Sequence, residues 1–144
     1  MKEIRNAVKS YLIRDNNLLV IQYKDNLYYD IPGGKIEENE TSVHASIREF
    51  KEETGIDIIK EHYIGKSMIE LPNIIYLFDI YFVDEYEGIP IETENNYSMW
   101  MDIESVLNEP KRYASVDVVK YLEYNMKIKM ICDNDNKVLK LIKY

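Results

Sequence analysis

The sequence predicts an α/β fold, on three observations. Apolar, β-rich segments recur along the chain, one segment repeats its apolar residues at helical spacing between capping residues, and turn chemistry separates the pieces. At 144 residues the chain is long enough to bury a core without staples, and a single domain spanning 1–144 is expected.

Residues 4–14 and 18–24 read as two strands joined by the turn-forming Asp15-Asn16-Asn17, so the fold opens with an antiparallel hairpin. Leu27 to Ile31 is a further short strand, stopped by Pro32-Gly33-Gly34, where a loop is expected to start. From Thr41 to Thr54 the residues Val43, Ile47 and Phe50 recur at helical spacing; Thr41 or Ser42 can cap the start, and Gly55 ends the helix. The stripe of Val43, Ile47 and Phe50 is expected to seat this helix against the sheet. Residues 56–69 and 74–84 read as strands separated by Pro72-Asn73, the second apolar enough to be central. An acidic loop from Asp84 to Asn95 leads to a short strand around Ser98–Met101, and a helix is expected over Val116–Met126. Residues 127–144 read as a terminal hairpin around Asp133-Asn134-Asp135-Asn136, with a loose tail as the alternative.

Composition narrows the function classes. Hydrophobic residues make up 46% of the chain and charged residues 31%, which suits a folded domain. The 18 basic residues against 26 acidic ones give a net charge of −8, which disfavours broad binding to a nucleic-acid backbone. A small anionic substrate stays compatible, because bound divalent cations reverse the local field. Cys132 is the only cysteine, so no intramolecular disulfide forms, and a reducing compartment such as the cytoplasm is expected. The first residues lack the basic-then-apolar pattern of a leader, and no apolar run approaches a membrane span.

The chemistry concentrates between Gly34 and Ile56. Gly34 is followed by Glu40, then by Arg48-Glu49-Phe50, Glu52-Glu53 and Gly55-Ile56. On a helix Glu49, Glu52 and Glu53 stand three and four residues apart and project from one side. Such a cluster is self-repulsive, and hard divalent cations with oxygen ligands would neutralise it. Taken alone, three glutamates on a helix are most simply a solvated face. Seven glycine or polar positions in register change that, since a chance match at a given start is about 10⁻⁸ at average residue usage. Arg48, four residues before Glu52, can hold the carboxylates by charge-assisted hydrogen bonds, the plainer alternative being a surface ion pair. Gly33 and Gly34 let the backbone approach a metal or phosphate closely.

The segment Gly34–Ile56 resembles the complete Nudix box of the MutT-like hydrolases. The resemblance implies an α/β/α sandwich around a mixed sheet, and attack of a cation-activated water on a diphosphate with release of a nucleoside monophosphate. It implies Mg2+, or Mn2+, bound by Gly34 through its carbonyl and by Glu49, Glu52 and Glu53, with Glu49 serving as base or as a further ligand. Arg48, Glu49 and Glu52 are then the candidate catalytic residues, and Glu40 joins the candidates as a box member. Family members often recruit one more acid from outside the box, for which Glu94, or its neighbour Glu92, is the candidate here. Tyr28 and Tyr29 could stack on a base, whereas Trp100 reads as core, His44 and His62 as ordinary, and Cys132 as a buried thiol.

A small nucleotide is the implied partner, either a nucleotide sugar such as ADP-ribose or a (d)NTP, with no membrane and with a homodimer compatible with the family. A nucleotide-sensing module that does not cut, and a hydrolase of RNA 5′ ends, are the alternatives. The intact set of box glutamates argues against the first, and the acidic composition against the second.

Overall fold

Alternating apolar residues and two-residue turns fold most of the chain into strands. The computed structural model describes residues 1–144. Strand β1 (Glu3–Tyr11) ends at Leu12, and β2 (Ile13–Arg14) turns into β3 (Asn17–Tyr23) through Asp15 and Asn16, both at positive φ as such hairpins require. The first expected strand is therefore two strands, which belong to different sheets.

After β4 (Tyr29–Asp30) the Pro32-Gly33-Gly34 segment is not a loop. Gly33–Lys35 forms β5, antiparallel to β1 with Lys9 opposite Gly33 and Val8 opposite Gly34. Glycine is what allows the pairing, because a Cβ on Gly33, at φ 154°, would lie 2.0 Å from the Val8 carbonyl oxygen.

Helix α1 (Ser42–Thr54) is capped by the Thr41 hydroxyl, which accepts from the His44 amide, and it ends at Gly55 in the left-handed conformation. Two long strands follow, β6 (Asp57–Glu70) and β7 (Ile74–Glu87), the latter running three residues past its expected end at 84. Strand β8 (Asn96–Asp102) leads directly into a short helix, α2 (Ile103–Leu107), capped by Asp102.

The helix expected over Val116–Met126 is mostly absent. Its place is taken by α3 (Ala114–Asp117) and one 3-10 turn (Val118–Tyr121), and Met126 already opens β9 (Met126–Cys132). Consecutive β-branched valines at 118 and 119 disfavour a longer helix. Asn125, at φ 62°, turns the chain, and Met126, Ile128, Met130 and Cys132 then alternate into the core. Strand β10 (Val138–Lys143) pairs antiparallel with β9 beyond the Asp133–Lys137 turn.

The larger sheet is mixed, in the order β10-β9-β6-β7-β1-β5, with β1/β7 and β6/β9 parallel. The smaller sheet consists of β2, β3 and β4, with β8 also paired to β3. On one face of the large sheet Val8 and Tyr81 pack with Ala45 of α1. The opposite face, with Ala7, Tyr11, Phe78 and Ile80, packs with Val106, Ala114, Val116 and Val118 of the shorter helical segments. A mixed sheet with helices on both faces is the α/β class that the sequence predicts. No helix is long and apolar enough to cross a membrane.

The apolar stripe of α1 differs from expectation. Only Phe50 is buried; Val43 and Ile47 are 47% and 39% exposed. The inward face is instead Ala45, Ser46, Phe50 and Thr54. Ser46 turns inward because its hydroxyl meets those of Ser10 (2.6 Å) and the Glu61 carboxylate (2.8 Å), so a polar contact occupies the place of an apolar one. Phe50→Ala should accordingly cost roughly 3–5 kcal/mol in chemical denaturation, while Val43→Ser and Ile47→Ser should each stay within about 0.5 kcal/mol.

Candidate active site

The site is built where β5 passes the inner side of α1. The Gly34 backbone lies so close to Glu49 that an added Cβ would sit 2.7–2.8 Å from its carboxylate atoms. One turn further along, Glu53 Oε1 accepts a hydrogen bond from the Gly33 amide at 2.7 Å. The paired glycines thus bring backbone against two carboxylates of the same helix, which bulkier residues would forbid.

Arg48 governs the rest. Its Nε and Nη2 donate to both oxygens of Glu40 (2.7 and 2.9 Å), its Nη1 donates to Glu49 (2.8 Å) and Glu52 (3.4 Å), and Nη2 also reaches the Lys35 carbonyl (3.2 Å). A planar guanidinium is suited to such a multi-carboxylate clamp, because its five donors are fixed in one plane. Glu40 further accepts the Glu37 amide and approaches His44 Nδ1 at 2.7 Å, so it closes the loop before the helix. Hydrogen bonds from Arg48, then from the Glu37 amide, draw the Glu40 carboxyl down to about 2.

Expectation and structure differ on how the acids gather. Glu49, Glu52 and Glu53 share the helix, yet no three acidic side chains converge into a finished cation cage. Glu49 and Glu52 lean on Arg48 while Glu53 turns to the Gly33 amide, each finding positive charge or a donor that offsets mutual repulsion. Burial pushes the Glu53 carboxyl up to about 8; Lys9 and the Gly33 hydrogen bond oppose this, and Asp30 and Glu49 add to it. The donor set, carboxylate and backbone oxygen only, matches the ligand preference of Mg2+ or Mn2+.

Glu94 is exposed and makes no contact with these acids, and Glu92 pairs with Lys24 at 2.7 Å. The backbone in this stretch serves a different purpose: the Asn96 side chain donates to the Glu53 carbonyl at 2.9 Å, tying β8 to the end of α1. His62 pairs with Asp84 at 2.8 Å, away from the acids, and Trp100 packs against the Leu12–Phe50 cluster as core. Cys132 is a buried thiol, as expected, and burial pushes it up to about 11.

Gly33 and Gly34 also border a cleft of about 530 Å³. Its aromatic lining is Tyr23, Tyr76, Phe78 and Tyr113; Tyr28 packs behind Tyr113, ring centroids 5.1 Å apart, and Tyr29 joins the core. Beneath the aromatics lies a buried polar group centred on Asp30. Asp30 accepts from Lys9 Nζ (3.1 Å), the Tyr23 hydroxyl (3.0 Å), the Ile31 amide (2.7 Å) and the Ser115 hydroxyl. Periodicity could not single out Lys9 or Asp30. The available signal was a lone lysine inside the apolar run Ala7–Leu12 and an acid two residues before Pro32.

These features meet a family already defined by sequence. The family model of the NUDIX domain matches residues 3–122, and the chain belongs to that family. Over 76 residues it is 34% identical to the oxidized purine nucleoside triphosphate hydrolase of Danio rerio, covering 51% of this chain and 49% of that protein. Over 73 residues it is 33% identical to the 8-oxo-dGTP diphosphatase of Haemophilus influenzae, covering 51% and 54%. The chain thus spans about half the length of these curated relatives. Among solved structures, the mMutator MutT protein of Bacillus halodurans superposes with a TM-score of 0.79 at 17% identity, covering 96% of this chain and 97% of that one, a likeness of fold.

Because Arg48 lowers the Glu40 carboxyl, Glu40 contributes stability above its ordinary value of 4.5 and loses that contribution as pH falls toward 2. In chelator, the melting temperature should drop between pH 4.5 and 2.5, and the drop should be shallower for Glu40→Gln than for the wild type.

Proposed function

We propose that this protein hydrolyses a diphosphate linkage in a small nucleoside di- or triphosphate compound, releasing a nucleoside monophosphate, with Mg2+ or Mn2+ as cofactor. The observation that carries the reading is the close approach of the Gly33–Gly34 backbone to Glu49 and Glu53 at the edge of a nucleotide-sized cleft. A divalent cation bound there supplies the positive charge that offsets the phosphate oxygens and makes water a stronger nucleophile.

The chain's own groups divide the remaining work. Glu49, Glu52 and Glu53 provide the carboxylates for the cation, joined by the Gly34 carbonyl. Arg48 positions Glu49 and Glu52 while anchored on Glu40. Glu49 and Glu52 are the carboxylates with some solvent access, 16% and 58%, so either can take a proton from water without first being uncovered.

The relatives' names favour nucleoside triphosphates over nucleotide sugars, since both act on purine triphosphates. A screen of phosphate release in Mg2+ should therefore show hydrolysis of one or more (d)NTPs ahead of ADP-ribose. Glu52→Gln, at an exposed position that leaves folding intact, should lower kcat by about 100-fold or more. Nucleotide binding with no turnover of any diphosphate would instead identify a sensing module.

A further inference from the structure

The buried polar group in the cleft has a donor that the protein itself does not use. Lys9 and Asp30 are 5% and 6% exposed, and both line the cleft. Each Asp30 oxygen is matched twice: Oδ1 by the Ile31 amide and the Ser115 hydroxyl, Oδ2 by Lys9 and the Tyr23 hydroxyl. The carboxylate is saturated. The Lys9 ammonium has three donors, and the protein takes two, for Asp30 Oδ2 at 3.1 Å and the Ile31 carbonyl at 2.9 Å. The third has no hydrogen-bond acceptor, and the nitrogen sits 5.5 Å from the centre of the Phe78 ring.

We propose that Lys9 is a specificity-determining residue that donates this third hydrogen bond to a carbonyl oxygen of the substrate's nucleobase. This deepens the hydrolase reading and rests on it for the nucleotide nature of the ligand. The frame for a planar ring is in place: Tyr76 and Phe78 lie parallel, 7° and 5.3 Å apart, and Tyr23 meets Tyr113 edge-on at 5.8 Å, with all four rings on the cleft. A neutral carbonyl is the acceptor that fits. Asp30 cancels the Lys9 charge, so the pair offers direction without net attraction for a phosphate. Tyr23 and Ser115 donate to Asp30 and keep only acceptor lone pairs, which complement a ring N–H next to that carbonyl. Guanine presents this edge; adenine has an amino group where the carbonyl would be. A site built to hydrogen-bond one group discriminates strongly against an analogue lacking it.

The competing account is an ion pair that only fastens β1 to β4. To separate the two, equilibrium binding of the non-hydrolysable α,β-imido analogues of GTP and ATP would be measured by calorimetry for the wild type, Lys9→Met and Lys9→Met/Asp30→Asn. The double variant does not leave the Asp30 carboxylate buried without Lys9, so it stays testable if the single one unfolds. The wild type should bind the guanosine analogue at least tenfold more tightly, and that ratio should fall to near one in the folded variants. No preference in the wild type, or a preference that survives in the double variant, would overturn the proposal. A Lys9-dependent preference in a protein that hydrolyses neither nucleotide would leave this inference standing and remove the hydrolase reading. Hydrolysis without base preference would do the opposite.

Discussion

Like charges held against one another on a single helix turn are the constraint to which the rest of this structure answers. Glu49 and Glu52, with Glu40 brought in from the preceding loop, place three carboxylates on one guanidinium, that of Arg48, while Glu53, one turn on, accepts from the Gly33 amide. In a helix kept only for packing such a cluster would cost stability. Here it is distributed between Arg48 and the Gly33 amide, and the divalent cation proposed for this site would offset the rest.

Several features of the fold follow from serving that cluster. Strand β5 must lie directly against β1 and against α1 at once, which fixes glycine at 33, against the Val8 carbonyl, and at 34, against Glu49. The inward face of α1 is partly polar because it carries Ser46 and the acids beside Phe50, and two of its apolar residues are left toward solvent. The same strand, Gly33–Lys35, both meets Glu49 and Glu53 of α1 and borders the aromatic cleft.

What the sequence disclosed depended on whether the signal was local. The helix boundaries at Thr41 and Gly55 were legible because caps are local hydrogen bonds, and the box was legible because its residues lie within 23 positions of one another. Strand β5 reads as loop because proline and glycine disfavour ordinary strand geometry, while the partner that makes it possible, β1, pairs Lys9 with Gly33 and Val8 with Gly34 from far earlier in the chain. The helix expected after Val116 ends too late because Met126 suits a helix as well as a strand until β6 is there to pair with it. Lys9, Asp30 and Ser115 could not be associated at all from the sequence: Ser115 stands 85 residues from Asp30, and only the packing of α3 over the large sheet joins them. Glu94, singled out by its position near a strand, is exposed.

The central claim is that the helix acids and the glycine strand together form one divalent-cation site. Crystals grown with Mn2+ and measured at the manganese absorption edge test it most directly. The account predicts an anomalous peak bounded by the Gly34 carbonyl and the Glu49, Glu52 and Glu53 carboxylates. A peak confined to other acids, such as Glu85 and Glu87 at the end of β7, or none at saturating Mn2+, would contradict it.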